Sequence, residues 1–213
     1  MPTGNSFKIR TKSNNLFLRV SKGHFATSNS HTNYYIDVTT HKARLSEASA
    51  VAKELVSYYN LSTIVDTILC LDGTEVIGTC LAKELTKGNF VNLNSHQTIY
   101  VVTPEQLSGN QFIFRENILP MIKGKNILIL SASITTGNAV LASMNAVKYY
   151  GGIIAGACAI FSTIESVDDI LIHSAFKLED LPDYESHAPH ECPLCKNGEK
   201  LDALVNSFGF AKL

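Results

Sequence analysis

The sequence predicts an α/β fold, a central parallel sheet flanked by helices. Three observations carry this. Within residues 126–130, Asn-Ile-Leu-Ile-Leu, four consecutive apolar residues run without alternation, as in a strand buried on both faces. A short hydroxyl-rich stretch and a helical pattern follow it. The same order, an apolar run, a glycine-bearing loop and a helix start, occurs earlier over residues 63–82. Finally, 45% hydrophobic content in 213 residues supplies the core of one α/β domain with a small appendage.

Charge and composition narrow the function classes. A net charge of −1 gives no basic face for bulk nucleic-acid binding. No apolar run approaches the ~18 residues of a membrane span. The polar start, Met-Pro-Thr-Gly-Asn-Ser, lacks a signal core. The expectation is a cytoplasmic protein without nucleic-acid or membrane partners. Cys70, Cys80 and Cys158 sit in apolar contexts, where free buried thiols are common. A disulfide framework is not expected in that compartment.

In chain order, residues 1–24 are polar with two apolar patches, 7–9 and 16–20, and Asn14-Asn15 between them suits a hairpin turn. Tyr34 and Tyr35 read as straddling an edge strand, one inward and one outward. Ser46 suits an N-cap, followed by an apolar face of Ala48, Val51, Ala52, Leu55 and Val56. Residues 63–71 are a β-rich apolar run for a central strand. Asp72-Gly-Thr-Glu75 then leads into a helix ending near Lys87-Gly88. Residues 98–102 should be the next strand. After a helix from Ala139 with Val140, Leu141, Met144, Val147 and Tyr150 on one face, Gly151-Gly152 is a stop signal. Residues 153–161 and 170–176 read as the last two strands.

The stretch 126–150 is the chemical centre. The loop Ser131-Ala-Ser-Ile-Thr-Thr-Gly-Asn138 opens a helix whose first N–H groups lack partners, and Thr135, Thr136 and Asn138 add side-chain partners for an anion. The spacing is neither Gly-x-Gly-x-x-Gly nor Gly-x-x-x-x-Gly-Lys, which argues against dinucleotide and NTP binding. A plain strand–turn–helix without ligand fits the same residues.

Ile134-Thr-Thr-Gly137 after an apolar strand resembles the phosphoribosyl-pyrophosphate (PRPP) loop of type I phosphoribosyltransferases. Two further stretches extend the likeness. Phe25 and Tyr34-Tyr-Ile-Asp37 resemble the base-covering hood of orotate phosphoribosyltransferases, with Asn29-Ser30 where the family has Ser-Gly. Residues 72–82 resemble the family's pyrophosphate loop, where Gly73 and Gly78 would let backbone approach the ligand. The resemblance implies a hood within residues 1–45, a transferase core over 46–180 and a tail over 181–213. It implies phosphate and PRPP contacts from Ser131, Ser133, Thr135, Thr136, Gly137 and Asn138. Pyrophosphate would meet Asp72, Gly73, Thr74 and Glu75, and the base would meet Phe25, Tyr34 and Tyr35. Mg²⁺ and a homodimer are implied as well.

Two departures bear on activity. The family places an acidic pair, which binds the ribose hydroxyls, where this chain has Ser131 and Ala132. The family's mobile loop carries basic residues, yet here residues 103–110 hold none, and no Lys or Arg occurs between Lys87 and Arg115. Losing two charge-assisted hydrogen bonds of ~1.5–3 kcal/mol each slows a reaction by ~10²–10⁴-fold. The resemblance therefore implies binding of PRPP or a nucleoside monophosphate with transferase activity weak or lost, and no residue is assigned as catalytic. Two alternatives stay open. One is an active transferase drawing charge from Lys22, Arg44, Lys83, Lys87 or Arg115. The other is a structural or partner-binding protein without a small ligand.

The tail reads His187-Ala-Pro-His190-Glu-Cys192-Pro-Leu-Cys195. Those residue types suit a Zn²⁺ site, with Cys192, Cys195, His187 and His190 as candidate ligands. A turn with reduced thiols and a redox pair are the other readings.

Overall fold

The computed structural model describes residues 6–11, 16–87, 93–95, 98–107 and 111–213. Among them no helix is long and apolar enough to cross a membrane. Contacts divide the chain into two compact units, Met1–Thr40 with Leu178–Leu213, and His41–Lys177.

The chain opens with β1 (Ser6–Arg10), β2 (Phe17–Ala26) and β3 (His31–Asp37). Next come α1 (Thr39–Ala43), α2 (Leu45–Val56), β4 (Thr67–Cys70), α3 (Glu75–Leu85) and β5 (Tyr100–Val102). A small hairpin, β6 (Glu105–Gln106) and β7 (Phe112–Ile113), precedes β8 (Asn126–Ile134) and α4 (Asn138–Tyr149). The larger unit ends with β9 (Ile153–Ser162), β10 (Ser166–Val167) and β11 (Ile170–Lys177). The tail adds β12 (Ser186–His187), the short helix α5 (Pro193–Lys196), β13 (Ala203–Asn206) and β14 (Gly209–Lys212).

In the larger unit the strand order is β10-β11-β9-β8-β4-β5. All neighbours pair in parallel except β10, which runs antiparallel to β11. Counting only the parallel strands in chain order, the sheet runs 2-1-3-4-5, a doubly wound order. Every residue of β4 is buried, which explains the apolar run Ile68-Leu-Cys70, and the buried Thr67 hydroxyl donates to the Met121 carbonyl at 2.5 Å. That strand is shorter than the expected 63–71; at its start Asp66 bonds both neighbours, its N–H to the Asn126 carbonyl and its carbonyl to the Tyr100 N–H, each at 2.9 Å, and its carboxylate takes the Asn126 N–H at 2.8 Å.

Helix α2 buries Ala48, Val51, Ala52 and Leu55, the predicted face. Its N-cap is Arg44 rather than Ser46, and no side chain caps it; the helix begins two residues earlier and places Glu47 in its first turn, where the helix dipole favours an acid. Gly78 lies inside α3, where an added Cβ would meet Cys70 Sγ at 2.5 Å and Val101 Cγ1 at 3.2 Å. Its role is close helix-on-sheet packing, not the approach to a ligand that the sequence suggested. Helix α4 ends as the sequence predicts. The Gly151 and Gly152 N–H groups bond the Lys148 and Val147 carbonyls at 3.0 and 2.9 Å, with Gly151 at φ 79°. This is a Schellman closure, which a glycine accommodates without strain.

The smaller unit is a second sheet of order β12-β3-β2-β13-β14, with β1 on β2. β1 and β2 pair antiparallel as a hairpin from Ser6↔Ser21 to Arg10↔Phe17, while the proposed Asn14-Asn15 turn lies outside the described residues. Strand β3 is paired along both edges, and Tyr34 and Tyr35 are both buried, so the inward–outward edge reading does not hold. Nor is the strand at 170–177 the last. The tail contributes β13, which runs parallel to β2 through Ala203↔Phe25 and Leu204↔Ala26. Four-residue strands carry too little pattern to stand out in sequence.

Candidate functional site

In a doubly wound sheet, ligands bind beyond the carboxyl ends of the strands where the order reverses. Here that point falls between β4 and β8. The two loops singled out in the sequence, 72–75 and 135–138, leave those two strand ends.

Strand β8 runs further than expected. The sequence suggests a loop from Ser131, but Ser131, Ser133 and Ile134 stay in register with Ala159, Phe161 and Ser162 of β9. Ser131 and Ala132 are almost fully buried. The Ser131 hydroxyl donates to Asp72 Oδ2 at 2.6 Å, and the Ala132 N–H reaches the same oxygen at 3.4 Å. The hydroxyl is thus engaged within the protein. Asp72, from the neighbouring loop, satisfies a buried donor that otherwise costs free energy.

The turn proper is Thr135 to Gly137. Gly137 is the N-cap of α4 at φ 76°, ψ −4°. A Cβ there would meet Val167 Cγ2 at 2.5 Å and Ile164 Cδ1 at 3.0 Å, so conformation and space both demand glycine. Thr163 Oγ1 donates to the Thr135 carbonyl at 2.9 Å and ties the turn to the end of β9. Thr136 and Asn138 are exposed. No side chain caps α4, and its first turn holds no acidic residue. Among the described residues, the backbone amides of Thr136, Gly137 and Asn138 donate to no protein carbonyl. Open donors at the positive end of a twelve-residue helix are what an anion would meet favourably.

The loop after β4 is built differently. Asp72 and Gly73 both take positive φ, 57° and 76°. Thr74 is fully buried, and its hydroxyl donates to the Leu71 carbonyl at 2.8 Å, with the Leu130 carbonyl 3.1 Å away. Glu75 stands in the first turn of α3 and accepts from Thr103 Oγ1 at 2.9 Å. Lys42 donates to the Asp72 carbonyl at 2.7 Å. Burial pushes the Lys42 ammonium below its ordinary pKa, opposed by the Asp72 and Glu75 carboxylates. No sequence signal singles out Lys42, since α1 has no motif that would point it at this loop.

Residues 103–107 and 111–115 frame the position of the family's mobile loop. They form the β6–β7 hairpin, and residues 108–110 lie outside the described residues. Glu105 takes Arg115 in two bonds, 2.6 Å from Nε and 2.8 Å from Nη2, and this fork holds the Glu105 carboxyl below its usual range. Of the other basic candidates, Arg44 faces Glu47 at 3.4 Å and Lys87 pairs with Glu84. Lys22 lies over the Tyr34 ring, 5.8 Å from its centroid.

In the smaller unit, Phe25 packs with Tyr35, Ala203 and Val205. Tyr34 meets Phe7 edge-on, 6.1 Å between centroids. The tail thiols find partners other than those expected. His187 faces Glu185 at 3.2 Å and His190 faces Glu191 at 3.6 Å. The histidines that gather with Cys192 and Cys195 are His24 and His31, from β2 and β3. Ligand spacing along the chain points only to local histidines, and these two lie more than 160 residues away.

No protein-family model matches the chain. An orotate phosphoribosyltransferase of Chlorobaculum parvum is 29% identical over 182 residues, 85% of this chain and 86% of that protein. Among solved structures, the orotate phosphoribosyltransferase of Mycobacterium tuberculosis H37Rv superposes with a TM-score of 0.51 at 19% identity, over 77% of this chain and 92% of that one. The chain has the type I phosphoribosyltransferase fold. An adenine phosphoribosyltransferase of Thermoanaerobacter pseudethanolicus shares it, with a TM-score of 0.50 at 18% identity over 68% and 88% of the two chains. Within that fold, this chain is most like the orotate phosphoribosyltransferases.

Proposed function

We propose that this chain binds the 5′-phosphate of PRPP or of a nucleoside monophosphate at residues 135–138, and that its transferase turnover is weak or lost. One observation carries the reading. The helix after β8 offers unpartnered amides and no acid, whereas the loop meant for pyrophosphate already holds Asp72 and Glu75. The first arrangement attracts a phosphate, and the second repels the anion that must leave. With Ser131 and Ala132 buried, no carboxylate of β8 meets a ribose cation either.

Mg²⁺, which the resemblance implies, would find Asp72 and Glu75 here, each engaged through one oxygen. Asp72 Oδ2 accepts from Ser131 and Ala132 and Glu75 Oε1 from Thr103, so each carboxylate keeps a second oxygen that could hold the metal directly or through water. The binding reading routes nothing through the metal. One observation favours the alternative of an active transferase. The Lys42 ammonium at the Asp72 carbonyl places a cation beside the switch point, where a departing pyrophosphate would need it. The family resemblance also supports a homodimer, which light scattering at micromolar concentration tests.

Calorimetry with inorganic phosphate, PRPP and uridine monophosphate, run beside an orotate, PRPP and Mg²⁺ turnover assay, decides among the readings. The expected result is saturable binding with turnover far below the ~10 per second of an ordinary enzyme. An ordinary rate establishes the active transferase. Binding of none of the three ligands leaves the partner-binding protein.

A further inference from the structure

The smaller unit holds a cluster that the phosphate site does not use. We propose that His24, His31, Cys192 and Cys195 form a structural zinc site that ties both ends of the chain together. The four ligand atoms lie within 4.8 Å of one another. His24 Nε2 is 3.3 Å from His31 Nδ1. Cys192 Sγ and Cys195 Sγ are 3.4 and 3.6 Å from His24 Nε2, and His31 Nδ1 is 3.2 Å from Cys195 Sγ. A tetrahedron with Zn–N near 2.0–2.1 Å and Zn–S near 2.3 Å has edges of about 3.3 Å between nitrogens and about 3.6 Å between nitrogen and sulfur. The observed edges fall close to those lengths.

The surroundings prepare the ligands. His24 Nδ1 lies 3.0 Å from the Glu199 carbonyl, which can only accept. That bond fixes the proton on Nδ1 and leaves the Nε2 lone pair facing the other three ligands, the usual outer-shell support of a metal histidine. Asp202 holds the backbone on both sides of the same residue. Its Oδ2 accepts from the His24 N–H at 2.8 Å, and its own N–H donates to the His24 carbonyl at 2.8 Å. The register of β2 on β3 shifts between Lys22 and Phe25, so His24, Phe25 and Ala26 are buried in succession. This bulge aims His24 inward. On the other side, Cys192 is the N-cap of the one-turn α5 and Cys195 lies within it, and Gly198 at φ 77° closes the turn with its N–H on the Cys195 carbonyl at 3.0 Å.

Charge also balances. Two thiolates and two neutral imidazoles cancel Zn²⁺, so a site where His24 and Cys192 are each 2% exposed carries no net buried charge. All four positions are filled by protein, the mark of a structural rather than catalytic zinc. Binding displaces one proton from each thiol to solvent and involves no electron transfer.

The test uses the full chain purified without chelator under reducing conditions. Elemental analysis should find about one zinc per chain, and Co²⁺ in its place should show thiolate charge-transfer and tetrahedral d–d bands. His31→Asn and Cys195→Ser should weaken zinc by about 100-fold or more, while His187→Gln with His190→Gln should keep it. Chelation should lower the thermal midpoint of wild type and leave that of Cys195→Ser unchanged. The proposal is overturned if wild type holds no zinc after reconstitution, if cobalt shows no thiolate band, or if the His187 and His190 variant is the one that loses metal. Because the cobalt spectrum is read on wild type, a variant that fails to fold does not rescue the idea.

Discussion

The loops after β4 and β8 share one blueprint, a strand leading through a glycine turn into a helix, yet they end in opposite states. The first is filled by its own side chains. Asp72 accepts from Ser131, Thr74 turns its hydroxyl back onto strand carbonyls, Lys42 holds the Asp72 carbonyl, and Glu75 meets the positive end of α3. The second keeps its donors open, with no acid in the first turn of α4 and no side-chain cap. Neither helix has a side-chain cap, so capping does not separate them. The sign of the local charge does. A loop that supplies its own carboxylates serves the structure, and one that withholds them is left for an external anion.

The sharpest way to break this comparison is to put the same residue at each loop's glycine. Gly73 and Gly137 both sit at φ 76°, but a Cβ at Gly73 meets only Lys42 Nζ at 3.7 Å, whereas one at Gly137 runs into Val167 at 2.5 Å. Gly73→Ala should therefore cost only the left-handed strain of about 1–2 kcal/mol. Gly137→Ala should add overpacking of about 1–3 kcal/mol and abolish measurable phosphate binding. Urea denaturation of the two variants measures both. Equal losses would show that the Val167 contact relaxes freely and that the turn is less constrained than its geometry indicates.

A smaller effect is expected from emptying the first loop. Asp72→Ala leaves the buried Ser131 hydroxyl and the Ala132 N–H without their shared acceptor, which should cost about 1–3 kcal/mol. Asp72→Asn keeps a carbonyl acceptor, and asparagine tolerates the φ of 57°, so it should stay within about 1 kcal/mol of wild type. Both remove a negative charge beside the proposed phosphate site and should tighten phosphate binding, read by calorimetry. If Asp72→Asn instead weakens binding, the carboxylate serves the ligand and the contrast between the loops is misdrawn.

The mildest change tests the open loop alone. Thr136 is exposed and its hydroxyl has no protein partner in the described structure. Thr136→Ala should weaken phosphate by a few-fold, about the worth of one hydrogen bond of ~0.5–1.5 kcal/mol, with an unchanged melting temperature. A shifted melting temperature would mean that the hydroxyl braces the turn.

Much of the larger unit could be read from residues alone. Buried parallel strands announce themselves by unbroken apolar runs, as at 68–70 and 127–130, because both faces are covered. The glycines at 137 and 151 mark a turn and a helix end because left-handed backbone excludes most other residues. Other features had no local signal. Ser131 to Ile134 looked like loop, since small hydroxyl residues favour turns, but the ladder with β9 outweighs that preference and Asp72 meets the buried hydroxyl. Gly78 looked like a ligand contact and is instead a gap filled by Cys70 and Val101, which lie on other strands.

What the sequence determined by itself is the main elements of the larger unit, their order and the glycine turn at 135–138, all properties of contiguous residues. Tertiary structure alone decided which distant residues share a neighbourhood. It set Asp72 against Ser131, Lys42 against Asp72, β13 beside β2, and His24 and His31 beside Cys192 and Cys195. The physical reason is the same in each case. Periodicity and turn chemistry act over a few residues, whereas a buried donor or a set of metal-ligand atoms is satisfied by whatever the fold brings within about 3 Å.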